Sequence, residues 1–318
     1  MGPREALFLC LSFLTHDFSW LWNGRFFISR TYGGRSVAVT RQLVELKSGV
    51  RSPSFTLMKK YKYVVYKPGG NNTALVECMI TDPVLKKTVN DLIMAKNPTV
   101  EQVGFIDQEQ LRLEMAGGEF CGNATRCAAF TFLKEKAGSI LIKTSGVRNK
   151  LQAGVDLIGN VWSDMPIYSD ISKIKFVDGL YIVPLQGITQ VVVYCQAKFS
   201  SKRAAKTQAV KILKLLNLDV SQKASGVMFV TKNKNLVIEP VVWVRSIKTL
   251  FYETACASGT TAVALVEALK NKSSVTNLPI IQPSGEKIIA SVILKNRKFS
   301  SAVISGQIKL LNQDAIYV

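Results

Sequence analysis

Two short segments of the chain begin alike, and this duplication constrains the fold more than any other feature. The first reads Glu-Phe-Cys-Gly-Asn-Ala-Thr over residues 119–125, and the second reads Glu-Thr-Ala-Cys-Ala-Ser-Gly-Thr over residues 253–260. In each, a cysteine follows an acidic residue and precedes small residues and an alanine-rich apolar stretch, which predicts a helix. Cys121 and Cys256 are 135 residues apart, about half the length of 58–318. This spacing predicts two similar halves, each with a helix that begins at a cysteine.

The apolar periodicity elsewhere predicts a mixed chain of strands and helices. The cysteine-led helices are expected to run to about Lys136 and about Lys270, and two more helices are expected over 83–95 and 198–217. Strands are predicted over 61–66, 73–79, 102–106, 111–115, 227–230, 236–244, 287–294 and 300–309. With 47% hydrophobic residues, the chain can bury a large core.

Residues 1–57 differ from the rest. The apolar stretch Ala6–Leu14 is too short to span a membrane, is followed by Asp17, and lacks a small-residue cleavage site. We therefore expect 1–57 to be a poorly ordered extension of a folded unit that begins at Met58, with a membrane anchor as the alternative. His16 is the one histidine of the chain. Unless the extension reaches the active site, histidine-dependent hydrolysis and the usual zinc sites are disfavoured.

The chain carries a formal net charge of +19, from 41 Lys and Arg against 22 Asp and Glu. Such a balance attracts anions, so a basic nucleic-acid-binding protein on an inactive scaffold is one alternative. The basic residues are scattered, however, and no recognised nucleic-acid motif accompanies them. Specific nucleic-acid binding is therefore not expected.

Cysteines at two helix starts suit one kind of reaction. A helix amino terminus is expected to lower a thiol pKa and to bind a carboxylate through its free N–H groups. If two such termini faced each other, one thiol could remove an α-proton and the other could return a proton on the opposite face. That reaction is racemisation or epimerisation, and it requires no metal or other cofactor. The alternative is that both cysteines are buried core residues, as we expect for Cys78, Cys127 and Cys195.

The two motifs resemble those of the diaminopimelate epimerase family. Residues 119–127 are similar to its first cysteine motif and 253–259 to its second, while Gly70-Asn71 and Gln102 resemble its amino-terminal Gly-Asn and strand glutamine. The resemblance implies an α/β (α+β) fold of two pseudo-symmetric halves, each a curved sheet around a central helix. It implies a first half of 58–170 plus 305–318 and a second half of 171–304.

The resemblance also implies roles for individual residues. Cys121 and Cys256 would be the acid/base pair in the cleft between the halves. The carboxylate-binding groups would come from Gly122, Asn123, Ala257 and Ser258, and Asn71 and Gln102 would line the substrate site. No cofactor is implied, the partner is a small amino-acid substrate, and a homodimer is consistent with the family. Thiols that must stay reduced fit a cytoplasmic enzyme.

Departures from the family pattern bear on the substrate. Met115, Ala224, 187–190 and 246–249 stand where diaminopimelate epimerases carry polar residues for the distal end of the substrate. The pattern over 101–106, together with the first cysteine motif, instead looks like the histidine racemase branch that feeds metallophore synthesis. We therefore expect an amino-acid racemase with histidine as the favoured substrate. Alternatives are diaminopimelate epimerisation, a proline-racemase-like epimerase and a double-bond isomerase on the same scaffold.

Overall fold

The computed structural model describes residues 17–22, 25–32, 35–40, 58–245 and 248–318. The chain divides into two compact units, 1–57 and 58–318. The first unit, which we expected to be a poorly ordered extension, contains an antiparallel sheet. Its strands are β1 (Asp17–Trp22), β2 (Arg25–Tyr32) and β3 (Arg35–Thr40). The apolar stretch 6–14 and His16 lie outside the described residues.

The second unit alternates strands and helices, and its elements fall into two runs. The first run contains β4 (Lys60–Lys67), β5 (Asn72–Val76), α1 (Pro83–Lys96), β6 (Val100–Asp107), β7 (Arg112–Met115), α2 (Gly122–Phe132), β8 (Gly138–Thr144), β9 (Leu151–Val155) and β10 (Val161–Asp164). After a 3-10 turn at Ile171–Lys173, the second contains β11 (Lys175–Val177), β12 (Leu180–Leu185), β13 (Ile188–Cys195), α3 (Lys202–Leu215), α4 (Leu218–Ser221), β14 (Ala224–Lys232), β15 (Leu236–Val244), β16 (Thr249–Tyr252), α5 (Ala257–Asn271), β17 (Val275–Ile281), β18 (Lys287–Lys295), β19 (Lys298–Gly306) and β20 (Lys309–Tyr317).

The same order of strand pairings occurs twice. β4 pairs antiparallel with β5, β5 parallel with β6 across α1, β6 antiparallel with β7, and β7 parallel with β8 across α2, before the antiparallel β8, β9 and β10. β12, β13, β14, β15, β17, β18 and β19 repeat this pattern, with α3 and α5 in the places of α1 and α2. The predicted α+β fold of two pseudo-symmetric halves is confirmed.

Exchanged strands join the two repeats into one curved sheet. β10 pairs antiparallel with β19, the last strand of the other repeat. β11 then pairs with β12, and β20 returns to pair with β4 along nearly its whole length. Positions 170 and 304, which we expected as boundaries of the halves, fall between β10 and β11 and within β19.

The two cysteine-led helices form the centre of each repeat. Most residues of α2 and α5 are buried, among them the polar residues Asn123, Thr125, Thr260 and Thr261. Helices enclosed on all sides need small, apolar residues around their whole circumference, which explains the alanine-rich sequences. In contrast, α1 and α3 bury one face each, through Val89 and Ile93 in α1 and through Ala209 and Ile212 in α3.

α2 ends at Phe132, earlier than the residue near 136 that the sequence predicted. Lys134 and Glu135 have φ values of 51° and 66°, in the left-handed region. Such backbone cannot continue a right-handed helix, so it turns the chain toward β8.

None of the helices in the described part of the chain combines the length and the apolar composition needed to cross a membrane.

The approach of the two central helices leaves no room at Gly122. A Cβ atom placed there would lie 2.8 Å from Met165 Sδ and 3.0 Å from Ala257 Cβ. We therefore expect Gly122→Val to lower the free energy of unfolding by about 1–3 kcal/mol, measured by urea denaturation. Ala95→Val, on an exposed face of α1, is the control and should cost no more than about 0.7 kcal/mol. Equal costs for the two variants would contradict the close contact.

Candidate active site

α2 and α5 begin with the same cap. Cys121 precedes α2 with φ −132° and ψ 113°, and Cys256 precedes α5 with φ −131° and ψ 109°. Each Sγ accepts a hydrogen bond of 3.3 Å, from the backbone N–H of Ala124 or of Gly259. Each sulfur thus takes the place of the usual capping oxygen, at the positive end of a helix.

A threonine completes each cap. Thr125 Oγ1 donates to the carbonyl oxygen of Cys121 at 2.8 Å, and Thr260 Oγ1 donates to that of Cys256 at 2.7 Å. The duplication seen in the sequence therefore extends to individual hydrogen bonds.

The amino termini of the two helices meet. Gly122 and Ala257, the first residues of α2 and α5, approach so closely that a Cβ on Gly122 would lie 3.0 Å from Ala257 Cβ. Each cysteine directly precedes one of these residues. The structure therefore brings together Cys121, Gly122, Cys256 and Ala257, from both halves, around one point.

The environment of the two thiols opposes their ionisation. Burial raises the pKa of the Cys121 thiol to about 12, although the Ala124 N–H favours the thiolate. Burial, followed by the carboxyl of Glu253, raises the pKa of the Cys256 thiol well above its ordinary value. We had expected the helix ends to lower both pKa values. Both pKa values are instead raised, because loss of hydration outweighs the N–H groups near the two sulfurs.

Two acidic residues, Glu253 and Glu101, lie near Cys256. Burial raises the pKa of the Glu253 carboxyl to about 7, and the neighbouring Glu101 acts in the same direction. Glu101 in turn accepts a hydrogen bond from the Thr254 hydroxyl. Glu101 belongs to the pattern over 101–106 and Glu253 to the second cysteine motif, but no role was predicted from the sequence for either residue.

Asn71 and Gln102 hold the segment that leads to Cys256. Asn71 has φ 50°, which asparagine tolerates. Its backbone N–H donates to Thr254 Oγ1 at 2.6 Å and its Nδ2 donates to the Ala255 carbonyl at 3.1 Å. Gln102 Nε2 donates to Asn71 Oδ1 at 2.7 Å. The first half thereby contacts the second directly beside its cysteine, and both polar atoms of the Asn71 side chain are engaged.

Gln282 also supports Cys256, and sequence reasoning missed it. Its Oε1 accepts from the Cys256 N–H at 3.0 Å, and its Nε2 donates to Thr260 Oγ1 at 3.0 Å. Gln282 is 1% exposed. A buried glutamine that bonds both ends of the first turn of α5 fixes where that helix begins.

Asn123 and Ser258 occupy matching positions two residues after the cysteines. Ser258 Oγ lies 3.5 Å from Cys256 Sγ and accepts from Gln190 Nε2 at 2.9 Å. Asn123 Oδ1 accepts from Arg126 Nη2 at 2.9 Å. Asn123 Nδ2 is buried without a partner in the part of the chain that the structure describes. Sequence reasoning missed Gln190 and Arg126, although Arg126 stands one helical turn after Asn123.

The other cysteines of the second unit differ in burial. Cys127 is fully buried in α2, as expected of a core residue, whereas Cys78 and Cys195 are only partly buried.

A narrow cavity, too tight to hold a water molecule, lies beside Ser258 between the two halves. Its lining residues are mostly apolar, with two polar side chains and no charged one: Phe120, Met165, Pro166, Leu185, Gln186, Ile188 and Ser258. Because Phe120 and Ser258 flank the two cysteines in sequence, this cavity lies next to the paired helix starts.

No group of three or more His, Cys, Asp or Glu side chains within the described residues has an arrangement that could hold a metal ion.

Known proteins resemble this chain over most of its length. Residues 60–317 match the model of the histidine racemase CntK N-terminal domain. The chain belongs to this family. A curated histidine racemase of Fusobacterium nucleatum subsp. nucleatum is 28% identical over 279 residues, which cover 80% of this chain and 97% of the relative. A histidine racemase of Staphylococcus aureus is 22% identical, over 80% of this chain and 96% of the relative.

Solved structures share the fold at low sequence identity. A phenazine biosynthesis protein of the PhzF family from Bacillus anthracis has a TM-score of 0.59 at 12% identity, covering 82% of this chain and all of that one. A hydroxyproline epimerase from Agrobacterium vitis has a TM-score of 0.54 at 8% identity, covering 81% and 93%. The predicted family resemblance is confirmed, and the chain is an isomerase of the racemase and epimerase kind.

The contact between Glu253 and Cys256 gives a pH-dependent prediction. Above pH 7 the Glu253 carboxylate is mostly ionised and opposes a negative charge on the neighbouring sulfur. Glu253→Gln removes that charge, so the Cys256 pKa falls and iodoacetamide should alkylate Cys256 about 3–10-fold faster at pH 8.5. Below pH 6 the wild type carries a protonated Glu253, and the two rates should converge. Mass spectrometry of the peptide that contains Cys256 measures both.

Glu109→Gln is the control, since it removes an exposed carboxylate away from either thiol. An equal acceleration in this variant, or the same ratio at pH 6 and pH 8.5 in Glu253→Gln, would contradict the assignment.

Proposed function

We propose that this isomerase is a cofactor-independent histidine racemase in which Cys121 and Cys256 are the two acid/base groups. The observation that carries the proposal is the contact between two helix starts, each capped by its own cysteine. This arrangement offers thiols from opposite halves to one small ligand. Membership of the histidine racemase family supports the substrate.

The amino termini of α2 and α5 have the features of a carboxylate-binding site. N–H groups in the first turn of a helix lack partners within the helix, and the positive ends of two helix dipoles favour an anion. Gly122, Asn123, Ala257 and Ser258 supply these groups, and the small residues among them let a ligand approach the backbone. We propose that the α-carboxylate binds there, with the α-carbon between the two sulfurs.

Proton transfer then follows from this placement. One sulfur, as a thiolate, takes the α-proton, and the electron pair of the broken C–H bond passes into the α-carbon and the carboxylate. The other thiol delivers its proton to the opposite face, which inverts the centre and leaves the second sulfur as the thiolate. In the reverse direction the two roles exchange. Fixed N–H groups in a dry site stabilise the charge that develops on the carboxylate.

The raised thiol pKa values bear on this step in two ways. A thiolate derived from a thiol of high pKa is a stronger base toward a weakly acidic C–H bond. Its population is correspondingly small, on the order of 10⁻⁵ at pH 7 for a pKa of about 12. The positive charges of the substrate ammonium and of the helix ends favour the thiolate, so substrate binding and ionisation support each other.

The mostly apolar residues beside Ser258 favour an uncharged substrate side chain over a charged one. The distal end of diaminopimelate carries an ammonium and a carboxylate, and placing both among apolar residues without partners is costly. A neutral imidazole carries one donor and one acceptor and no charge, so it needs fewer polar partners than the two charged groups do. Met115, which stands where diaminopimelate epimerases carry a polar residue, is fully buried. These features favour histidine over the alternative of diaminopimelate epimerisation.

The proposal also extends to cofactors, cellular location and oligomeric state. We propose that no cofactor takes part, because two thiols and fixed N–H groups supply every step above. Two thiols that must stay reduced suit the cytoplasm. The homodimer and the boundaries of the halves at 170 and 304 stay predictions.

The two-thiol mechanism predicts the behaviour of single variants. In D₂O under reducing conditions, the wild type should exchange the α-proton of L-histidine and racemise it, followed by NMR and circular dichroism. Cys121→Ser and Cys256→Ser should each lose racemisation by about 10²–10⁴-fold, because a hydroxyl is a far weaker acid/base group at this position. Cys195→Ser, which changes a thiol outside the cluster, should retain wild-type activity. Full racemisation in either of the first two variants would exclude the pair.

The apolar cavity predicts the order of substrates. Deuterium incorporation should be fastest with histidine and at least about 10²-fold slower with diaminopimelate, for which the site lacks polar partners. The same experiment separates other reactions on this scaffold, since a double-bond isomerase would leave every α-amino acid unexchanged. Faster exchange with diaminopimelate than with histidine would overturn the substrate assignment and leave the thiol mechanism intact.

A further inference from the structure

Arg126 is a buried cation whose contacts are all neutral. It lies in α2, is fully buried, and is the largest side chain with no exposed surface. Its Nη2 donates to Pro68 O at 2.6 Å and to Asn123 Oδ1 at 2.9 Å, and its Nη1 lies 3.4 Å from Gly306 O. Within the described residues, no carboxylate forms an ion pair with it. Burying a charge without a counter-ion is costly, so a purely structural role would be served better by an uncharged residue.

The contact with Asn123 fixes the orientation of an amide. A guanidinium can only donate hydrogen bonds, so the atom of Asn123 that faces it must be the carbonyl oxygen. The Nδ2 group therefore faces away from Arg126. That group is buried and has no acceptor among the described residues. Asn123 is the second residue of α2, beside Gly122 at the contact of the two helices. An unsatisfied donor at this place is expected to bind a negatively charged ligand.

Through Pro68, Arg126 also supports the turn of the first half that contacts the second half beside Cys256. Pro68 leads into Gly69, Gly70 and Asn71, and Asn71 bonds Thr254 and Ala255 directly before Cys256. A Cβ on Gly70 would lie 2.7 Å from Thr254 O, so this turn is pressed against that segment. One guanidinium thus holds the first turn of α2 and the turn that supports the second cysteine.

We propose that Arg126 is a positioning residue that presents Asn123 Nδ2 as a fixed hydrogen-bond donor for the carboxylate of the substrate. Its uncompensated charge favours that carboxylate as well. Burial lowers the pKa of Arg126 only to about 10, so it is charged at neutral pH. The inference rests on the proposed function for the identity of the ligand, but the donor itself can be tested with any carboxylate that reaches Cys121.

Two alkylating reagents provide that test in the full-length chain. Iodoacetate carries a carboxylate and iodoacetamide does not, so the ratio of their rates at Cys121 reports the attraction of a carboxylate. Measured at one pH, this ratio is independent of how much thiolate is present. Arg126→Met and Asn123→Ala should each lower the ratio about tenfold and raise the KM for L-histidine about tenfold, with a smaller effect on kcat.

The double variant decides whether Arg126 acts through Asn123. If it does, Arg126→Met combined with Asn123→Ala should change the ratio about tenfold, as each single variant does, rather than the hundredfold expected of independent groups. Arg203→Met and Asn233→Ala, both at exposed positions, are the matched controls and should leave the ratio and KM unchanged. If Arg126→Met does not fold, Arg126→Lys replaces it in the cycle, because lysine keeps the charge but cannot bond Pro68 and Asn123 as the planar guanidinium does.

Three results would overturn the inference. They are a hundredfold change in the double variant, a ratio within twofold of wild type in the single variants, or a loss of thermal stability with no change in ratio or KM. If the wild type exchanged no amino-acid α-proton, the proposed function would fail while the alkylation ratio still tested the role of Arg126.

Discussion

The structure depends on the meeting of two helix amino termini at Gly122 and Ala257. Each terminus carries unpaired N–H groups and a partial positive charge, so two termini in contact repel each other unless something negative lies between them. Each sulfur satisfies one N–H group of its own helix, and the rest of both first turns stays available. The fold therefore holds, at its centre, an arrangement that an anion stabilises. In the proposed function, a carboxylate that fits between the small residues would relieve this repulsion, which would connect the packing of the helices to the choice of ligand.

The burial of the two central helices also determines how readily their cysteine thiols ionise. The curved sheet surrounds α2 and α5 so completely that only their ends can meet a ligand. This enclosure removes water from the thiols, and loss of hydration raises their pKa values more than the helix ends lower them. A dry site makes the free enzyme a poor source of thiolate, but it strengthens every fixed N–H group once charge develops on a substrate. Both consequences follow from burying two polar helix ends in one core.

Local patterns predicted the parts of this structure that are local. The small residues after each cysteine and the alanine-rich stretches predicted both central helices, and their spacing predicted two halves. The stop of α2 at Phe132 was missed because it depends on the left-handed backbone of two ordinary residues, Lys134 and Glu135. The contacts of Asn71 with Thr254 and Ala255 join residues more than 180 positions apart, and no periodicity encodes such pairs. Gln190, Gln282 and Arg126 were missed for the same reason, since a buried polar residue inside an apolar element shows its partners only once the chain is folded.

The two cysteine motifs share their cap geometry but differ in charge. Five residues after its cysteine, α2 has the buried Arg126 where α5 has Thr261, and three residues before its cysteine the second motif has Glu253 where the first has Gly118. Arg126 interacts favourably with a negative charge on Cys121, whereas the Glu253 carboxyl raises the pKa of the Cys256 thiol. Glu253 and Glu119 also act against a thiolate at Cys121, so the two sulfurs differ in the charges that surround them. Under the proposed two-thiol mechanism, the two enantiomers present their α-protons to opposite sulfurs, so each enantiomer reacts with a different protonation state of the pair. Because the charges near the two cysteines differ, we expect these two protonation states of the proposed pair to differ in free energy.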